Sequence, residues 1–168
     1  MGSPVALATV LPMDLENLLK ARVVIDDLKS RDDQGAFQEV ADALAAASII
    51  TAGDKDLIRD AFVARERVGT TSLGKGLAIP HVFSDKVPGA HVVVARSSAG
   101  VQMKSPDGLP IKVFFCIVAC EASRPAYLHI LGTVAKIARD SYWRRYLERA
   151  SAAQICDALI EGEKALCR

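Results

Sequence analysis

The chain has 168 residues and a mass of 18.0 kDa, with 51% hydrophobic, 24% charged and 5% aromatic residues. That length and apolar content suit one globular domain burying roughly 70% of its unfolded surface. They exclude a disordered chain, and a formal net charge of +1 (21 Lys and Arg against 20 Asp and Glu) excludes a strong global field for nucleic acid or anionic membrane.

The opening residues carry no basic leader, and the apolar stretch at 5–11 is too short for a signal or a membrane span. Residues 1–14 are read as an N-terminal extension, ordered or flexible, of a single domain covering 1–168. Val23-Val24-Ile25 predicts a short strand. Asp32 or Asp33 then caps a helix whose inward face is Phe37, Val40, Ala41, Leu44 and Ser48. Asp54 caps a second helix, through about residue 66, with Leu57, Ile58, Ala61 and Phe62 inward. The two helices form a hairpin beside the strand.

From 69 to 81 the texture changes, with Gly69, Gly74 and Gly76 in eight residues and no helical period. Glycine permits positive φ and close backbone approach, and Pro80 drives Ile79 towards an extended conformation. Residues 91–95 and 111–118 read as strands, the second apolar throughout 113–118 and so covered on both faces. Ser105-Pro106-Asp107-Gly108 between them is a turn.

The last third is helical. Ser123 caps a helix with Pro125 in its first turn, where the missing N–H costs little. Tyr127, Ile130, Leu131, Val134, Ala135, Ile137 and Ala138 form its apolar face. His129, Thr133, Lys136 and Asp140 fall opposite, on the polar side. Further helices begin at Ser141 and Ser151, the latter with Ile155, Leu159 and Ile160 inward. Arg144, Arg145 and Arg149 read as a solvated basic face, and Tyr142 and Trp143 as packing residues. Helices around short apolar strands predict an α/β sandwich.

Cys116, Cys120, Cys156 and Cys167 include no C-x-x-C pair, and they read as small hydrophobes in a reducing, cytoplasmic setting. Three histidines occur. His91 opens a strand and reads as structural. His81 stands out, because a Gly/Thr-rich loop precedes it and a proline sets its backbone. Imidazole can accept and pass on a group near neutral pH, as in a phosphohistidine. Loop N–H groups, the hydroxyls of Thr70, Thr71 and Ser72, and a nearby guanidinium can supply donors to phosphoryl oxygens.

Arg65-Glu66 followed by Gly69-Thr70-Thr71-Ser72-Leu73-Gly74-Lys75-Gly76-Leu77-Ala78-Ile79-Pro80-His81 closely resembles the signature of a bacterial family. That family comprises the enzyme IIA components of the phosphoenolpyruvate-dependent sugar phosphotransferase system, fructose/mannitol type. The resemblance runs from about residue 15 to 160. It takes in Asp107-Gly108-Leu109-Pro110, Leu128, Leu131, Val134-Ala135-Lys136 and Arg144-Arg145.

The resemblance implies an α/β fold, a central mixed sheet of about five strands flanked by helices on both faces. It implies that His81 is phosphorylated, at Nε2, by the histidine-containing phosphocarrier protein and passes the group to a IIB domain. Arg65 matches the arginine that steadies the phosphoryl group. Gly74 and Gly76 join Thr70, Thr71 and Ser72 as expected phosphoryl-binding positions. Glu66 is expected to pair with Arg65 or Lys75, and Pro80 to support the histidine.

Two positions depart from the family pattern. Tyr127 stands where relatives carry a second histidine; its hydroxyl can donate a hydrogen bond but, with an ordinary pKa near 10, offers no imidazolium. Val82 replaces a glycine often found after the phosphorylated histidine, and is expected to narrow the space there. Expected to comprise one domain with no IIB or membrane segment attached, the chain resembles the stand-alone nitrogen-regulatory branch. Two alternatives stand beside that reading: a sugar-specific transport component feeding a separate IIB, and a binding module with weakened transfer. No metal, nucleotide or organic cofactor is implied, and no spacing supports a metal site of His81 and His129.

Overall fold

A computed structural model describes residues 15–19 and 21–166. The expected extension at 1–14 and Cys167 lie outside the described residues.

A short helical turn, α1 (Leu15–Leu18), precedes strand β1 (Val23–Ile25) and the helices α2 (Asp33–Ala46) and α3 (Lys55–Val68). Asp32 caps α2, its carboxylate accepting from Gly35 N–H at 2.8 Å. Asp54 does not cap α3 with its side chain, which instead accepts from the Thr51 hydroxyl at 2.7 Å. The helices meet through Phe37 and Phe62, both buried, their rings stacked with centroids 5.2 Å apart. Two expected inward positions are corrected. Leu57 is 47% exposed, because the apolar face of α3 is narrow and runs through Ile58 and Phe62. Ser48 lies beyond the end of α2, with φ +59, in the turn that reverses the chain.

The sheet is built from β2 (Ser72–Gly74), β3 (Leu77–Ala78), β4 (His81–Phe83), β5 (Ala90–Val101) and β6 (Ile111–Ala119), with β1 at one edge. Its order is β1-β5-β6-β3-β2. β4 pairs with β6 further along the lane begun by β3, so six strands occupy five lanes. The sheet is mixed, as expected: β1 runs parallel to β5, β5 antiparallel to β6, and β3 and β4 parallel to β6.

Side-chain alternation divides β6 between two cores. Val113, Phe115, Ile117 and Ala119 face α4 (Arg124–Arg139) and α6 (Ala152–Leu166). Phe114, Cys116 and Val118 face α2 and α3. Burial on both sides explains the unbroken apolar run. Between α4 and α6, helix α5 (Ser141–Leu147) is capped by Asp140, which accepts from Tyr142 N–H and Trp143 N–H.

The polar side of α4 is corrected by the same layering. Thr133 is buried, and His129 turns towards α6, where Nε2 meets the Glu163 carboxylate. Glu163 also accepts from Leu15 N–H at 2.7 Å, tying α1 to this layer. Tyr142, expected to pack, is 65% exposed. Cys116 and Cys156 are buried free thiols, and burial pushes Cys116 well up and Cys156 up to about 11.

Candidate functional site

The lane shared by β3 and β4 breaks at Ile79-Pro80. Proline has no N–H for the ladder, so pairing lapses there and resumes at His81 in unchanged register. The Pro80 carbonyl still accepts from Ile117 N–H at 2.8 Å, which keeps β4 in register with the end of β6. The β4 segment pairs only with β6 among the described residues. At this open edge the two helical layers approach each other around the strand. α3 brings Arg65, α4 brings Tyr127, and β4 presents His81 between them.

The resulting cleft has a volume of about 390 Å³ and is lined by Ala61, Arg65, His81, Val82, Phe83 and Tyr127. His81 is half-buried, with Nδ1 2.7 Å from the Ile79 carbonyl oxygen and Nε2 3.3 Å from Arg65 Nη2. A carbonyl can only accept, so Nδ1 carries the proton and Nε2 keeps a free lone pair. The guanidinium donates towards that lone pair while its Nη1 donates to the Gly69 carbonyl at 2.9 Å. Burial, above all, lowers the His81 pKa below its ordinary 6.5. The Arg65 charge adds to this, and the Ile79 carbonyl and Glu66 oppose it.

The tyrosine ring stands edge-on to His81 at 5.9 Å between centroids and tilts against Phe83 at 4.1 Å. Burial raises the Tyr127 pKa, against the opposing pull of Arg65 and Arg124. Arg124 lies over the other ring, its guanidinium carbon 4.3 Å from the Phe83 centroid. The wall of the cleft is therefore aromatic and backed by a cation. Phe83, Ala61 and Arg124 were not expected from the sequence. Their signals were there: Phe83 lies two residues after His81 on one strand face, Ala61 one helical turn before Arg65, and Arg124 three residues before Tyr127.

The loop donors are arranged differently from expectation. Thr70 Oγ1 donates to the Lys104 carbonyl at 2.6 Å, Thr71 Oγ1 to Glu66 at 2.6 Å, and Ser72 Oγ to the Leu77 carbonyl at 3.2 Å. These hydroxyls lock the loop, and none of the three residues lines the cleft. Gly74 and Gly76 (φ +80 and +77) flank Lys75 in a tight β2–β3 turn, and Lys75 N–H donates to Asp107 at 2.6 Å. The glycines serve that turn and its docking on the Asp107 loop.

Glu66 pairs with neither Arg65 nor Lys75. It is buried and also accepts from Thr71 N–H at 3.0 Å, clamping the end of α3 to the loop. Glu66→Ala strands two buried donors on Thr71 and is expected to cost on the order of 3 kcal/mol in urea unfolding, with Glu66→Gln losing less. Val82 points away from its neighbour His81 into the α2/α3 core and is 6% exposed, so it borders the cleft from below rather than crowding the ring.

The titration of His81 has a defined sign. Its folded pKa lies below the unfolded value, so the neutral ring persists at pH 7. Stability from this group is lost as pH falls through the lowered pKa, because the unfolded chain takes up the proton more readily. An NMR titration is expected to place the imidazole midpoint below 6.5, and Arg65→Met to raise it. Chemically, the cleft offers a neutral imidazole nitrogen, solvent access and a guanidinium beside it.

Comparison with known proteins bears on the family and the fold. A nitrogen regulatory protein of Bradyrhizobium diazoefficiens is 28% identical over 142 residues, 84% of this chain and 91% of that protein. A fructose-specific EIIA component of Haloferax volcanii is 28% identical over 156 residues, 92% of this chain and 95% of its own. The crystal structure of nitrogen regulatory protein IIA-Ntr from Neisseria meningitidis superimposes with a TM-score of 0.76 at 25% identity, covering 86% of this chain and 98% of that one. Residues 17–162 match the family described as "Phosphoenolpyruvate-dependent sugar phosphotransferase system, EIIA 2", and the chain belongs to that family.

Proposed function

We propose that this protein is a phosphocarrier whose His81 accepts a phosphoryl group at Nε2 from the histidine-containing phosphocarrier protein. The observation that carries this reading is the pairing of Nδ1 with the Ile79 carbonyl, which leaves Nε2 unprotonated beside Arg65. In the transfer the Nε2 lone pair forms the new P–N bond as the P–N bond of the donor's ring-protonated phosphohistidine breaks, and the donor ring, keeping its proton, leaves as neutral imidazole. Positive charge appearing on the His81 ring is stabilised through Nδ1–H and the Ile79 carbonyl. Arg65 swings its Nη2 donor onto a phosphoryl oxygen, a charge-assisted bond worth about 1.5–3 kcal/mol. No cofactor takes part.

The regulatory form of this function is favoured by relatives named nitrogen regulatory proteins. Adding about −1.5 to −2 charges at the cleft changes which protein target can dock there. The setting is cytoplasmic, where the phosphocarrier protein is found; no helix among the described residues is long and apolar enough to cross a membrane. The second reading, a transport component passing phosphate to a separate IIB, is favoured by the likeness to a fructose-specific EIIA. A third, a binding module with slowed onward transfer, rests on Tyr127, which offers no cation at the second-histidine position.

Incubation with phosphoenolpyruvate, the general enzyme I and the phosphocarrier protein tests the first step. Intact mass is expected to rise by one phosphoryl group. An unlabelled chain, beside a labelled control IIA, leaves only the binding module. Rapid, complete discharge onto one sugar-specific IIB domain replaces the regulatory reading with transport.

A further inference from the structure

A second concave surface among the described residues is larger than the His81 cleft. It is a groove of about 780 Å³ at the other end of the sheet, between the β2–β3 turn, β5, the loop before β6 and the end of α5. Leu77 and Arg96 both stand opposite Val113 on β6, whereas His81 stands opposite Ile117. Four residues of strand, roughly 13 Å, separate the two sites.

The groove concentrates charge that the whole chain lacks. Lys75, Arg96, Lys112 and Arg149 line it against a single carboxylate, Glu148. None of the four cations forms an ion pair among the described residues. Two carboxylates bonded to groove residues are occupied: Asp107 accepts from Lys75 N–H and Leu109 N–H, and Asp27 from the N–H and hydroxyl of Ser98.

Arg96 is the most telling member. Its Nη2 donates to the Glu148 carbonyl at 3.2 Å, which ties the guanidinium to the groove wall. Its Nε is buried and has no hydrogen-bond partner among the described residues. A buried N–H without a partner is rare in native proteins, and an anionic oxygen satisfies it well. Leu109 and Pro110 add an apolar part to the lining, Leu109 being 52% exposed.

We propose that this groove binds a small organic anion carrying a diphosphate, with the phosphates on the four cations and the organic body against Leu109 and Pro110. The volume is in the range of small-ligand sites and exceeds the need of an inorganic ion. This inference goes beyond the phosphocarrier reading and stands without it, since no residue of the His81 cleft lines the groove.

Calorimetry at about 0.15 M salt, with ADP and inorganic pyrophosphate as probes, tests it. Saturable ADP binding, tighter than that of pyrophosphate, is the expected result. Lys112→Glu combined with Arg149→Glu is expected to weaken ADP at least tenfold, and Lys86→Glu, an exposed cation away from the groove, less than twofold. Amide NMR shifts on adding ADP are expected at Gly76, Ser97 and Lys112. Absence of saturable binding overturns the proposal, as does equal weakening by Lys86→Glu or a shift map centred on His81. Pyrophosphate binding as tightly as ADP does so too, since it shows an adventitious ion only. Circular dichroism melts confirm that each variant is folded, and Leu109→Ser, which leaves every charge in place, is expected to weaken ADP but not pyrophosphate.

Discussion

Replacing His81 with glutamine is expected to reduce phosphoryl loading to background while leaving the fold intact. On the proposed function, Nε2 of His81 is the acceptor, and glutamine has no nucleophilic nitrogen to replace it. The other imidazoles are not placed to substitute. His91 Nε2 is held 2.5 Å from the Pro88 carbonyl, and His129 Nε2 is engaged by Glu163. Arg65→Met is expected to behave differently, slowing loading about 10- to 150-fold rather than abolishing it, as the loss of one charge-assisted bond implies. Intact-mass time courses with the phosphocarrier protein read both effects. A labelled His81→Gln chain would falsify the assignment, and peptide mapping would then locate the true acceptor.

Phe62→Ala is expected to destabilise the protein by about 3–5 kcal/mol, the range for emptying a buried aromatic site. Phe62 is 1% exposed and stacks on Phe37, itself fully buried, so the surrounding α2–α3 interface cannot close over the void without moving a helix. For a chain of this size the loss corresponds to a melting temperature lower by about 6–20 °C. Leu57→Ala, five residues earlier on the same helix, is expected to change stability by less than about 0.5 kcal/mol because that side chain is half exposed. Urea unfolding of the pair separates the two faces of α3. Phe62 lies three residues before Arg65, so loading of Phe62→Ala is expected to fall before global unfolding, as α3 loosens.

The architecture was legible where periodicity is strong. The apolar run at 113–118 announced a strand covered on both faces, and the structure divides those residues alternately between two cores. A cap at Asp32 or Asp33, Pro125 in the first turn of α4 and the turn at Asp107-Gly108 were equally readable, since each depends on local backbone chemistry, and the structure selects Asp32. Leu57 and Thr133 were misjudged for a different reason: a helix wheel states which residues share a face but not how wide a stripe its neighbours cover.

For the candidate site, residue chemistry singled out His81, the family resemblance added Arg65 and Tyr127, and tertiary structure alone decided that they meet. The three come from β4, α3 and α4, on opposite sides of the sheet, and converge because β4 is an open edge around which both layers reach. The threonine and serine hydroxyls show the converse. Their chemistry suits an anion, but a hydroxyl donates one hydrogen, and which acceptor takes it depends on what the fold brings near. Here Lys104, Glu66 and Leu77 take those hydrogens. Sequence alone determined the main helices, the strands at 23–25, 91–95 and 111–118 and the family motif, because these follow from local sterics and order along the chain, whereas β2, β3 and β4 lie in what read only as a glycine-rich loop. Partners of polar groups, and the gathering of four cations in a nearly neutral protein, were decided by packing between segments far apart in the chain.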